Sequence, residues 1–311
     1  MSGCILVTTL ASEFAREIDR LSDTRLPITA CNTVDEALSA YSDQTVLFGS
    51  PGMIVQILDR MPTIDWVQSS WAGVTPLIDA PRRDYVLTGV KGVFGPQMAE
   101  YTLGHLLAHE LRLHERLKAQ REHRWLGVHS GTLTGKRLGV MGTGSIGAAI
   151  ASAAAAFGMA SLGFSRSGAP VDGFEKVYPA ERLEAFLGDV DYLVSTLPAT
   201  PDTANLLNAD TLKLLPEHGY FINVGRSNVV DDDALVEALR TGALAGAALD
   251  VFDEEPVPEA SALWDTPNLT MTAHVAAISH PLLIVPIFIE NYRRYVAGES
   301  LQYVVDFDLG Y

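Results

Sequence analysis

The stretch Lys136–Ser152, KRLGVMGTGSIGAAIAS, decides the fold. An apolar run, Leu138–Met141, reads as a buried parallel strand. It feeds Gly142-Thr143-Gly144-Ser145-Ile146-Gly147, and an Ala-rich helical pattern begins at once. Each glycine has a physical job in such a loop. Gly142 permits the tight strand-to-helix turn, Gly144 lets a pyrophosphate approach the backbone, and Gly147 lets the helix pack close to the strand. The helix start adds free N–H groups and the positive end of its dipole. A second apolar strand, Ser161–Phe164, follows. This strand–loop–helix–strand context, rather than the glycines alone, predicts a dinucleotide-binding unit.

Working outward, strands and helices alternate on both sides, the pattern of parallel α/β sheets. Before the loop, strands are expected at 3–10, Ile28–Ala30, Thr45–Gly49, Trp66–Ser69 and Val86–Gly89. Helices are expected at Phe14–Leu21, Val34–Tyr41 and Val55–Met61, and this half has no glycine fingerprint. A long helical pattern runs from about Pro96 to Arg124. It carries His105, His109, His114 and His123, which lack metal-ligand spacing because HExxH is absent; they read as surface or interface histidines, and no metal is expected. After the loop, strands are expected at Asp191–Ser195, Tyr220–Val224, Gly246–Asp250 and Leu269–Thr272. Helices are expected at Leu183–Phe186, Ala209–Leu215, Ala234–Arg240 and Pro281–Tyr295. The short apolar tail Tyr303–Phe307 is expected to dock on the first domain. The fold class is therefore α/β, with two Rossmann-like doubly wound parallel sheets, one flavodoxin-like and one dinucleotide-binding. Residues 1–98 with 281–311 form a discontinuous substrate (lid) domain, residues 99–280 the NAD(P)-binding domain, and an active-site cleft is expected between them.

Composition bounds the partners. Of 311 residues, 48% are hydrophobic and 19% charged, enough apolar material for two cores. A net charge of −16 disfavours nucleic acid or an anionic membrane as a partner. Two cysteines, Cys4 and Cys31, make no disulfide framework, which points to the cytoplasm; no apolar run spans a bilayer and no signal peptide is seen.

The second half carries more than a glycine loop. FINVGRSNVVDDDALVEALRTGALAGAALDVFDEEPVP (221–258), ALWDTPNLTMTAHVAA (262–277), VSTLPATPDT (194–203) and SSWAGV (69–74) closely resemble the D-isomer-specific 2-hydroxyacid dehydrogenase family. GPQMAEYTLGHLL (95–107) and the ending VVDFDLGY resemble its glyoxylate/hydroxypyruvate reductase A subgroup. Two positions depart from the family pattern: Arg226-Ser227 replaces Arg-Gly, and Thr272-Ala273-His274 replaces Thr-Pro-His, which bears on how the catalytic loop is held.

The resemblance implies a catalytic set of Arg226, Glu255 and His274, with Glu254 the neighbouring rival to Glu255. The types suit the chemistry. Histidine titrates near neutrality and can supply the proton that a keto oxygen needs. A carboxylate beside it fixes the ring, and the arginine fork can hold the substrate carboxylate and polarise the carbonyl. The resemblance also implies cofactor contacts from the loop Gly142–Gly147, Leu197, Pro198, Thr203, Val224, Gly225, His274 and Asp250, the last meeting the nicotinamide carboxamide. It implies substrate contacts from Ser50, Trp71, Ala72, Gly73 and Arg226, with the 71–74 turn offering backbone N–H groups; Trp71 could equally be core. A homodimer built on the long helix is implied as well.

Cofactor choice is read from the residues. An NAD-binding unit places Asp or Glu at the end of its second strand to bond the ribose 2′-hydroxyl. Here that strand ends in Ser165-Arg166-Ser167, which predicts NADP(H) in preference to NAD(H). The alternatives are an NAD-dependent dehydrogenase of other substrate range, similar to phosphoglycerate dehydrogenase, and a non-catalytic nucleotide sensor on the same fold. A formate dehydrogenase is disfavoured because its pattern has Gln at the position of Glu255.

Overall fold

The computed structural model describes residues 3–23 and 25–308, so the last three residues of the VVDFDLGY ending lie outside the description. The chain divides into two compact units, Met1–Val93 with Ser279–Tyr311, and Phe94–Ile278.

The first unit runs β1 (Cys4–Val7), α1 (Ala11–Leu21), β2 (Ile28–Cys31), α2 (Val34–Ala40), β3 (Val46–Gly49), α3 (Pro51–Ile54), β4 (Trp66–Ser69), α4 (Thr75–Ile78) and β5 (Val86–Thr88). Its five strands are parallel in the order β2-β1-β3-β4-β5, the flavodoxin-like arrangement. The central strands are buried on both faces; β1 and β3 are apolar, while β4 ends in the buried polar pair Gln68-Ser69. A late helix, Pro281–Ala297, belongs here too: Phe288 stacks on Phe48 at 4.4 Å, and buried Asn291 bonds Gln68. The tail joins the same unit. Val305 N donates to Leu87 O, Gly89 N donates to Tyr303 O, and Val305 lies in the core.

The second unit runs α5 (Gly95–Glu110), α6 (Leu113–Arg121), β6 (Arg137–Met141), α7 (Ser145–Ala155), β7 (Ala160–Phe164), β8 (Lys176–Tyr178), α8 (Leu183–Leu187), β9 (Tyr192–Ser195), β10 (Tyr220–Asn223), α9 (Asp232–Thr241), β11 (Gly246–Leu249) and β12 (Leu269–Met271). Its seven parallel strands take the order β12-β11-β10-β9-β6-β7-β8, a Rossmann order extended by one strand. The strand period of two feeds two cores. Leu193, Phe221 and Ala247 enter one, while Tyr192, Val194, Ile222 and Ala248 enter the other, beneath α5 and α7. Because α5 begins at Gly95 and packs on α7, the division falls before Phe94 rather than at Ala99.

Three helices differ from the sequence reading. Val55–Met61 is not one helix: Pro51 starts α3 early, and the Leu58–Arg60 stretch is a single 3-10 turn. The Arg82 guanidinium takes the carbonyls of Leu58, Met61 and Ile64, which a continuing helix would need. The Pro96–Arg124 pattern breaks at Arg112, which sits at φ +51°, and Arg116 captures the Leu111 carbonyl at 2.8 Å. Ala209–Leu215 shrinks to a 3-10 turn at Leu212–Leu214, because the Asn208 and Thr211 side chains bond nearby backbone groups. The short edge strand β8 carries no sequence signal of its own. Among the described residues no helix is long and apolar enough to cross a membrane.

Candidate active site

In the second unit the residues singled out from sequence stand at the carboxyl ends of the strands. The glycine loop follows β6, Ser165 follows β7, Thr196 follows β9, Arg226 follows β10, Asp250 follows β11 and His274 follows β12. The order of the sheet reverses between β6 and β9, and ligands of open α/β sheets bind outside such a point. Gly147 is forced by packing: a Cβ there would lie 2.0 Å from the Gly142 carbonyl oxygen. Gly144 differs. It caps α7 without a side-chain bond, and a Cβ on it would meet open space. An unencumbered backbone at a helix N-terminus fits a pyrophosphate.

The other loop residues sort by what they touch. Thr143 packs its methyl over Gly163 of β7, Ser145 is exposed at the first turn of α7, and Ile146 packs on the core. Thr196, which the sequence reading passed over, donates to the Met141 and Gly142 carbonyls and ties the glycine loop to β9. Leu197 and Val224 point into cores, so their backbones are what they offer a ligand; Gly225 lies against the Leu197 backbone, and Pro198 is exposed. Thr203 braces its own turn, donating to the Pro198 carbonyl at 2.7 Å. Beyond β7, Ser165 Oγ accepts Gly168 N and Ser167 Oγ accepts Ala169 N, which leaves each hydroxyl hydrogen to donate outward; Arg166 is exposed.

His274 and Glu255 are paired, Nδ1 to Oε2 at 2.9 Å, while Glu255 Oε1 accepts Phe252 N at 3.0 Å. The ring therefore bonds Glu255; Glu254 is exposed beside it. Both paired side chains keep more than a third of their surface, 44% and 37%. Arg226 is half-buried and donates to its neighbour Gly225 O. Burial lowers its guanidinium from the ordinary value and the Glu255 charge opposes this; an arginine stays charged regardless. Its turn is clamped by Asn223, fully buried, which donates to Arg226 O and accepts Gly225 N. Asn223 was legible only as a polar residue closing an apolar strand. Asp250 is buried, and its carboxylate accepts Thr272 Oγ1, Val275 N and Ala276 N. It holds the histidine loop.

In the first unit, Ser50 follows β3 and Trp71 follows β4. Trp71 is exposed rather than core, and its amide is committed to Ser69 Oγ at 3.0 Å. Ala72 is exposed and Gly73 half-buried. Of the histidines read as surface or interface residues, His114 and His123 are exposed. His105 and His109 are half-buried and pack on rings, His105 on Tyr101 and His109 on Tyr220, and burial lowers both from the ordinary imidazole value.

Residues 103–276 match the family model described as D-isomer specific 2-hydroxyacid dehydrogenase, NAD binding domain. Glyoxylate/hydroxypyruvate reductase A of Serratia proteamaculans is 36% identical over 215 residues, 69% of this chain and 69% of that one. A D-isomer specific 2-hydroxyacid dehydrogenase family protein of Aeromonas salmonicida superposes with a TM-score of 0.94 at 37% identity, covering 99% of this chain and 100% of that one. An NADPH-dependent glyoxylate/hydroxypyruvate reductase of Sinorhizobium meliloti, solved with NADP and sulfate, gives 0.85 at 29% identity over the full length of both chains. With the matched segment spanning the glycine loop, Arg226, Glu255 and His274, the chain belongs to the D-isomer specific 2-hydroxyacid dehydrogenase family.

Proposed function

We propose that this protein reduces small 2-keto acids, glyoxylate and hydroxypyruvate foremost, to 2-hydroxy acids, with NADPH used in preference to NADH. The observation that carries this reading is the His274–Glu255 pair, set at the same sheet ends as Arg226 and the glycine loop. Bound NADPH supplies the hydride that adds to the keto carbon. The protein supplies the proton. Glu255 fixes the ring through Nδ1, and as the imidazolium His274 donates a proton to the keto oxygen while charge builds there. Arg226 offers two parallel donors, one for the substrate carboxylate and one for the polarised oxygen. Ser50 and the amides of Ala72 and Gly73 are the proposed further contacts to that carboxylate. Two buried free thiols, Cys4 and Cys31, support a reducing compartment, the cytoplasm. The proposed assembly is a homodimer built on the helical segment that follows Pro96.

The test is loss of NADPH absorbance with glyoxylate, hydroxypyruvate and an uncharged aldehyde of similar size. Only the keto acids should turn over well. His274→Ala should cost about 10²–10⁴ in turnover while NADPH affinity changes little. Equal specificity constants for glyoxylate and the aldehyde, or equal loss of turnover and NADPH affinity in the variant, would overturn the reading.

A further inference from the structure

We propose that Tyr101 and Thr272 are positioning residues for His274, acting through the Asp250 carboxylate; the proposal rests on His274 being the proton donor. His274 sits at φ +55°. A left-handed backbone is unfavourable for a non-glycine residue, so something must hold it. Three consecutive amides do. His274 N donates to the Asp250 backbone carbonyl at 2.9 Å, Val275 N to Oδ1 at 2.8 Å and Ala276 N to Oδ2 at 2.9 Å. One residue at the end of β11 thus straps the whole histidine loop. Ala273, unlike a proline, does not fix its own φ, so the loop geometry depends on these bonds.

The strap is itself oriented. Thr272 Oγ1 donates to Asp250 Oδ1 at 2.5 Å, and Tyr101 OH lies 2.7 Å from Thr272 Oγ1. Both Asp250 oxygens already accept backbone N–H groups, so the threonine spends its single hydrogen on Asp250. The phenol must then be the donor in the Tyr101–Thr272 contact. Donation runs one way, from Tyr101 on α5, through Thr272, to Asp250. Burial pushes the Tyr101 phenol up to about 12, so it keeps its hydrogen over the working pH range. His105 packs against the Tyr101 ring, tilted by 51° with centroids 4.4 Å apart, and steadies it. Glu255 fixes the imidazole at Nδ1, and the strap fixes the backbone that carries it. Without the strap, the imidazole rides on a strained residue whose backbone is unsecured, and displacements of about 1 Å in such sites cost up to about 10²-fold.

The test uses the full chain with Tyr101→Phe, Thr272→Val, Thr272→Ser and the double variant Y101F/T272V, alongside His274→Ala. Tyr101→Phe and Thr272→Val should each lower kcat about 10-fold, with keto-acid KM and NADPH affinity within about twofold of wild type, as for one lost hydrogen bond felt at the reacting geometry. Thr272→Ser retains the hydroxyl and should keep kcat within about twofold of wild type, whereas a merely space-filling role would make it no better than Thr272→Val. The double variant should lose no more than Thr272→Val alone, because Tyr101 acts only through Thr272. In the His274→Ala background, Thr272→Val should leave the residual turnover unchanged. A serine variant as impaired as the valine one, or losses that multiply in the double variant, would overturn the proposal. So would wild-type kcat in Tyr101→Phe and Thr272→Val while His274→Ala is inactive. Full turnover in His274→Ala would overturn the acid–base reading itself, and the proposal with it.

Discussion

Asp232 shows how a single side chain can work against its surroundings. It opens α9, where the helix dipole favours an anion by about 0.3–1 kcal/mol. Burial, and then Asp253, Asp231 and Asp233, push its carboxyl the other way, from 3.8 up to about 6. A raised carboxyl lends stability that is complete below the unfolded value and is lost as pH rises through the folded one. Asp232→Asn removes the charged form and its penalty. The two proteins should melt together below about pH 4, and the variant should be more stable above about pH 6, by about 1 kcal/mol. That figure is well short of the full shift because the carboxyl keeps contact with solvent. Thermal melts across this range check it, and a variant less stable at neutral pH would refute the account. At this scale the proposed reacting groups, Arg226, Glu255 and His274, were legible only through the resemblance of their motifs to the family, with Glu254 left as a rival to Glu255. Asn223, Tyr101 and Thr272 were not. Tyr101 and Thr272 act through hydrogen bonds that span 171 and 22 positions, which no local pattern encodes, while Asn223 bonds Gly225 and Arg226 close by but is hidden in an apolar strand run.

At the scale of elements, the strands read well because parallel strands buried on both faces are near-continuous apolar runs. Helix ends read poorly where a distant arginine, Arg82 or Arg116, takes the carbonyls that would have continued a helix. The turn after β7 lies where the sequence reading put it, since the strand ends at Phe164. No carboxylate stands at Ser165-Arg166-Ser167 to repel a 2′-phosphate, and two hydroxyls with a free arginine head can donate to one. A charge-assisted bond contributes about 1.5–3 kcal/mol, or about 10- to 150-fold in affinity. Ser165→Asp combined with Arg166→Ala should therefore weaken NADPH binding by about that factor and leave NADH binding equal or tighter. Titration of both nucleotides by fluorescence checks this. A wild-type protein that binds the two equally well would refute the reading of the turn without touching the keto-acid chemistry.

At the scale of the whole molecule, the insertion of one α/β unit into another was legible from the order of strands and helices, and from a tail too short to fold alone. The order of strands within each sheet was not, since alternation alone does not say on which side of the first strand the chain turns back. Assembly is the remaining question, and two opposing forces decide it. Trp125 is 99% exposed, and Leu111, Leu113 and Leu117 of the same segment are exposed as well. Burying side chains of this kind contributes about 1.5–3 kcal/mol each, which favours a second copy covering them. Against this stands a net charge of −16 on each chain. Like charges repel over about 30 Å at 0.01 M salt and only about 8 Å at physiological ionic strength. The proposed dimer should therefore tighten as salt is added, the reverse of an assembly held by ion pairs. Sedimentation at micromolar concentration should give about twice the 33.5 kDa chain mass at physiological salt. Trp125→Glu with Leu117→Glu should return it to one chain mass, because each substitution places a further negative charge where apolar surface would be covered. A wild-type protein that sediments as a single chain, or a dimer that loosens with salt, would rule out an apolar interface on this segment.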